Sequence, residues 1–478
     1  MLAATAIAVA QEPPKTKTTK TATAKAATAK TATAETQGTE AKAPQGHDWP
    51  AFLGPTADGK STERILLDWP ETGPNVLWFR AVGEGYSAPS VADGRLFVFD
   101  RLDDTARLMA WDAATGEDLW TQGYATDYED MFRYSGGPRT SPVVDDDRVY
   151  VFGVEGRLRA HRVTDGKLLW DVDTAERFGV VQNFFGVGSN PVVEGDLLIV
   201  HVGGSPPDSP RITSGNVQGN GTGIVAFDKH TGEVRYTLSD ELASYATPRI
   251  VTLGDRRWGF VVTRGGLLAF EPSKGKADFF VPWRAKLLES VNASTPVVVD
   301  DTVFISESYG PGSVLLQVAP DTSEGYKILW KDPRRDQSLS LHWVTPIHHD
   351  GVLYASSGQS SGEAQLRAVD HRTGKVHWKV PGLGRSTLLY ADGHLLVLTE
   401  TGRLLLVKAT PERYILVDEV DFSAGSSTEN AEAKKATGER KVDKPRLRFP
   451  AWNAPVLAHG RLYLRGRDQV LALDLTPR

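Results

Sequence analysis

One pattern returns roughly every fifty residues along this chain. A small residue and Pro open a Val-rich stretch. An acidic or Gly turn follows, then an aromatic stretch, a short stretch ending Ala-apolar-Asp, and finally Thr-Gly and an aromatic residue. The second copy shows it best, with Thr140-Ser-Pro-Val-Val144, Asp145-Asp-Asp147, Arg148-Val-Tyr-Val-Phe152, Gly156-Arg-Leu-Arg-Ala160 and Asp165-Gly-Lys-Leu-Leu-Trp170. A unit of this length holds about four short strands and cannot bury its own faces, so it needs a copy on either side.

The strand-opening prolines are Pro89, Pro142, Pro191, Pro248, Pro296, Pro346 and Pro455, at spacings of 53, 49, 57, 48, 50 and 109 residues. The last interval holds two copies, the hidden one beginning near Ser386-Thr-Leu-Leu389 without its Pro, which makes eight. Trp120, Trp170, Trp283, Trp330 and Trp378 are expected to close repeats, with Tyr236 standing in for one and Trp78 preceding the first. The fold expected is all-β: an eight-bladed β-propeller of four-stranded blades. Its final copy ends at Asp474 with no fourth strand, so the spare strand at residues 75–80 should complete the last blade and leave no open sheet edge. Asp93-Gly94, Asp350-Gly351, Asp392-Gly393 and His459-Gly460 supply the positive φ that tight hairpins require.

The segments outside this rhythm divide the chain. Residues 1–10 are a short run of small and apolar residues ending Ala8-Val9-Ala10, which matches the end of a secretory signal peptide without its basic start. Residues 11–46 are Thr, Ala and Lys in near-repeats with no large apolar side chain, and are expected to be a disordered linker. Residues 47–478 form the propeller domain, with surface insertions expected at 203–223 and 423–444. No stretch approaches the roughly 18 apolar residues of a membrane helix. The chain is therefore expected to be exported to the periplasm or cell envelope. With no cysteine it is not expected to be a lipoprotein, and it has no thiolate chemistry. Net charge is −6, and the linker is basic, so the body is more acidic still and a poor partner for nucleic acid.

The spacing Ala-apolar-Asp-x-x-Thr-Gly-x-x-x-Trp, at Ala110 to Trp120 and Ala368 to Trp378, resembles the repeat of pyrroloquinoline-quinone (PQQ) propellers. These include quinoprotein alcohol dehydrogenases and the β-barrel outer-membrane assembly (BamB-like) subunit. The opening Asp48-Trp-Pro-Ala-Phe-Leu-Gly-Pro-Thr-Ala-Asp-Gly59 and the run Ser135-Gly-Gly-Pro-Arg-Thr-Ser-Pro142 are similar to exported propellers of planctomycete-type bacteria. The resemblance implies either a scaffold that binds envelope proteins or a quinone-dependent dehydrogenase. In such dehydrogenases the quinone lies over a Trp, calcium is held by Glu, Asn and Asp, and a vicinal disulfide covers the cofactor. This chain has no cysteine for that disulfide.

Residues just before the repeat prolines should rim one channel mouth: Tyr86, Arg139, Asn190, Tyr245, Asn292, His342, Trp343 and Asn453. That mixture suits a polar or anionic small ligand. Trp343 and Trp452 could serve as stacking platforms for a carbohydrate. No catalytic set and no metal site is recognisable. His348 and His349 are adjacent in a strand and should point to opposite faces, Asp145-Asp-Asp147 is a turn, and Gly219-Asn-Gly-Thr-Gly223 leads into a strand, where a phosphate loop needs a helix. The preferred expectation is a non-catalytic exported scaffold. PQQ with calcium, or a carbohydrate, are the alternatives.

Overall fold

A computed structural model describes residues 46–478 except 181–182, 211, 213–216, 289, 291 and 424–443. The export-like start at 1–10 and nearly all of the 11–46 linker and 423–444 insertion lie outside the described residues. Eight four-stranded antiparallel sheets follow one another round a ring, an eight-bladed β-propeller. Blade one comprises Ser90–Ala92, Arg95–Leu102, Thr105–Asp112 and Asp118–Ala125 from the channel outward, and blades two to seven repeat that order. Blade eight takes three strands from the C-terminus and its outermost, Val76–Ala81, from the start of the ring, with Phe79 opposite Leu471. Backbone pairing between the two ends of the domain therefore closes the ring.

The core lies between blades. Apolar clusters fill each interface, such as Phe97, Phe99, Leu108 and Val149 between blades one and two. The second and third strands of a blade are covered on both faces, so they read as continuous runs such as Leu395-Leu-Val-Leu398. The outermost strands meet solvent on one face and alternate, as Asp118–Ala125 does.

The closing aromatics lock seven of the eight blades to the next; blade seven has Asp418 at that register. Trp78, Trp120, Trp170, Trp330 and Trp378 donate their indole N–H to backbone carbonyls of the following blade, Trp120 reaching Val163 at 2.9 Å. Tyr236 does the same through its hydroxyl, to Pro272. Each ring lies against a turn glycine except that of Trp378, which packs on Tyr354 and Tyr414. A Cβ at Gly166, whose φ is +71°, would sit 2.5 Å from the Trp120 ring, so this position needs both the missing side chain and the left-handed backbone. Trp283 is a correction to the expected pattern. In blade four the locking residue is Phe279, cross-strand from Ala269 and packed on Gly325, while Trp283 lies beyond the strand and bonds the Gly312 carbonyl. In this blade burial of a ring against the glycine marks the position, without an indole hydrogen bond.

Candidate functional site

The two mouths of the channel differ. Inner strands enter from the inter-blade loops at one mouth and end in tight turns at the other, where Asp93, Asp350, Asp392 and His459 all adopt positive φ before Gly. This turn mouth is crossed by a strap, residues 47–66. Trp49 pairs with Val91, the Pro50 carbonyl accepts from Val144, Thr56 accepts from Arg249, and Gly59 and Ser61 bond Tyr390. Glu63 anchors the far end by accepting the backbone N–H groups of His459 and Gly460 at 2.9 and 2.7 Å. The strap thus touches blades one, two, four, seven and eight.

The loop mouth carries the residues expected to rim it. Asn190 accepts the Ser141 N–H at 2.6 Å and donates to Thr247 at 2.8 Å, which stitches three successive blades together. Tyr245 is half-buried and its hydroxyl accepts the Phe185 N–H at 2.9 Å. Asn292 donates to the Thr263 carbonyl and Asn453 to that of Ser87, and each keeps a buried Oδ1 with no donor among the described residues. These four residues hold backbone in place.

Arg139 is spent inside its own loop. Its Nη2 pairs with Asp130 at 2.8 Å, and the guanidinium also donates to the carbonyls of Ser135 and Gly137. The Asp130 carboxylate is fully buried and accepts the N–H groups of Phe132, Tyr134 and Ser135. The loop is thereby fixed in a shape that its own apolar side chains do not explain. Arg139→Lys keeps the charge but loses the fork. It is expected to cost about 1–2 kcal/mol and to speed amide hydrogen exchange at residues 132–135. Unchanged exchange there would show that Asp130 alone holds the loop.

Two aromatic groups meet at Arg139, whose Cζ lies 5.4 Å over the Tyr86 ring and 5.7 Å over Phe185. On one side Tyr86, Trp452, Trp343 and His342 follow each other at centroid separations of 5.0 Å. Above Trp343 and Trp452 sits Arg385, at 4.6 and 4.9 Å, paired with Glu400 at 2.8 Å. Burial pushes the Glu400 carboxyl up, but bonds from the Trp452 indole and from Arg385 outweigh it and hold it below the ordinary range. Burial, with Arg385 nearby, pulls His342 down to about 4, so it is neutral near pH 7. On the other side Phe132, Tyr134 and Phe185 stack with centroids 5.4 to 6.0 Å apart. Here the rings face solvent: Phe132 is 47% and Tyr134 63% exposed, beside Met131 at 48%.

Arg385, Glu400, Phe132 and Tyr134 were not legible as site residues. Arg385 stands immediately before the inner strand of blade seven, the position read in the other copies, but that copy lacks the proline that marks it. The repeat itself could have found it. Phe132 and Tyr134 belong to an inter-blade loop with no repeat register.

The quinone site implied by the resemblance does not fit these residues. Arg385 already stacks on Trp343 and Trp452, and Glu400, the carboxylate beside them, is committed to Arg385 and the Trp452 indole. Among the described residues no three His, Cys, Asp or Glu side chains converge as metal ligands. The Trp343 and Trp452 rings tilt 51° to one another and share the guanidinium, so they offer no flat platform to a sugar. His348 and His349 point apart, towards His371 and Tyr390 respectively. Asp145 pairs with Lys229 at 2.6 Å.

The family model described as outer membrane protein assembly factor BamB matches residues 59–205 and 104–380, well over half of the chain. The outer membrane protein assembly factor BamB of Shewanella oneidensis is 26% identical over 417 residues, 84% of this chain and 89% of that protein. The crystal structure of BamB from Moraxella catarrhalis superposes with a TM-score of 0.54 at 14% identity, covering 84% of this chain and 98% of its own, a likeness of fold. A quinohemoprotein alcohol dehydrogenase from Pseudomonas putida HK5 reaches a TM-score of 0.47 at 13% identity, over 90% of this chain and 80% of its own, too weak a likeness to speak for chemistry. With eight blades of one repeat, a ring closed by the Val76–Ala81 strand and this match over most of its length, the chain belongs to the BamB family of PQQ-type repeat propellers.

Proposed function

We propose that this propeller is a non-catalytic scaffold of the outer-membrane assembly type, located in the periplasm or cell envelope, that docks an assembly component on its loop mouth. The observation that carries the reading is the stacked, solvent-facing group of Phe132, Tyr134 and Phe185 beside Met131. Large aromatics at the centre of a fixed loop are the side chains that dominate protein interfaces. Their loop is held by the Asp130–Arg139 pair, so little ordering entropy is left to lose on binding. The opposite mouth is crossed by the strap. Membership of a family named for outer-membrane protein assembly supports an envelope protein as the partner. The export-like run at 1–10 is consistent with that location.

A photo-crosslinking residue at position 132, in cells, is expected to capture a component of the outer-membrane protein assembly machinery. Phe132→Ala with Tyr134→Ala should weaken that complex about thirtyfold or more, as loss of two interface aromatics does, with an unchanged melting temperature. Full binding by the double variant would overturn the docking site.

A further inference from the structure

Between blades five and six, on the outer side of the ring, lies a groove of about 600 Å³. Its walls are the loop Arg334-Arg-Asp-Gln337 that leaves blade five and the outer strands of blade six, including Arg367, His377 and Lys379. In a protein of net charge −6 this is a local concentration of cations. Asp336, Asp332 and Asp370 are the carboxylates nearby; Asp332 is occupied by the backbone N–H groups of Ser313 and Ser338, and Asp370 lies 3.9 Å from His377 and accepts from Thr373. Among the described residues none of Arg334, Arg335, Arg367 and Lys379 forms an ion pair.

The groove is built. Arg367 Nη1 donates to the carbonyls of Gln337 and Ser338 at 2.8 and 2.9 Å, and Gln337 reaches the Gly310 carbonyl at 2.7 Å. The loop carrying Arg334 and Arg335 is therefore clamped to both blades. Arg367 and Lys379 are also direct cross-strand partners. Like charges opposite one another on one face of a sheet destabilise it, and among the described residues neither member of this pair forms an ion pair, Asp332 being the one carboxylate whose charge acts on Arg367.

We propose that this groove binds a phosphorylated group. A phosphate offers several oxygens in different directions, which suits guanidinium forks from the loop and an ammonium from the strand better than a planar carboxylate does. Bound there, it would sit between Lys379 and the two loop arginines and relieve the Arg367–Lys379 repulsion. A free phosphate and an anionic lipid headgroup share this chemistry.

The test uses the full chain in phosphate-free buffer, with inorganic phosphate followed by calorimetry and phosphatidylglycerol vesicles followed by co-sedimentation. Saturable binding of phosphate points to a soluble ligand, and binding to vesicles alone to a headgroup. Either supports the site if Arg334→Gln with Arg335→Gln weakens it about tenfold or more at an unchanged melting temperature. Lys379→Gln should likewise weaken binding, while raising the melting temperature of the ligand-free protein. Arg367 is left intact because the loop hangs on it. If neither probe binds, or if the variants bind both as well as the native protein, the proposal is wrong.

Discussion

Acidification from pH 7 to pH 5 is expected to remove several kcal/mol of the stability of this fold. Burial holds the imidazoles of His201, His342, His348 and His371 down at about 4, against an ordinary value near 6.5. In the unfolded chain these groups take up protons as the pH falls through 6.5, while in the fold they stay neutral until about 4. The unfolded state thus binds more protons, and stability drops across that window. Each such histidine costs up to about 2 kcal/mol at pH 5, and a domain has only about 5–15 kcal/mol to lose. His348 and His371 are the strongest case. Their rings lie 5.1 Å apart in edge contact, His371 is bonded through Nε2 to Thr302, burial and the His348 beside it disfavour a proton on His371, and burial and Lys60 disfavour one on His348. Glu155 and Glu307 act in the opposite sense, since burial raises their carboxyls and the fold binds those protons first. Denaturant unfolding at pH 7, 6 and 5 checks the prediction, and His348→Gln should flatten the slope. A stability constant to pH 5 would mean that these rings are protonated without cost.

Trp49→Ala is expected to destabilise the protein by about 3–5 kcal/mol, the cost of deleting a fully packed indole. Trp49 is 2% exposed and belongs to the cluster that joins blades seven, eight and one. Its backbone pairs with Val91 in both directions, and Gly54 folds onto its ring so closely that a Cβ would lie 2.8 Å away, at a φ of +80°. The residue therefore pins the strap at its start, as Glu63 pins it at its end. Losing the ring opens a cavity and frees residues 50–62 from the turn mouth together. Urea unfolding measures the loss, and faster hydrogen exchange at Val91, Val144 and Tyr390 would mark release of the strap. A loss below about 1 kcal/mol would show that the strap lies on the ring without stabilising it.

Much of the site was hidden for a definable reason. The repeat pointed to the rim positions, and most of the rim residues turned out to serve the ring: Asn190 and Tyr245 bond neighbouring backbone, and Arg139 answers a buried Asp130 nine residues earlier. A rim position says which side chains face the mouth and nothing about what already neutralises them. The groove of Arg334, Arg335, Arg367 and Lys379 was equally invisible, because it assembles a loop of one blade with strands of the next.

What the sequence settled by itself is periodic. The spacing of seven prolines, with its one doubled interval, counts the eight blades, the Asp-Gly turns set the hairpins, and the unfinished last copy demanded Val76–Ala81 as its fourth strand. Even Phe279 obeys the period, standing four residues after Gly275 as Trp120 stands after Gly116, although Trp283 drew attention away from it. Such features are legible because each repeat meets the same surroundings, so one local rule is written eight times. The strap, the aromatic mouth and the basic groove each occur once. They depend on which distant segments the closed ring brings together, and only the tertiary structure decides that.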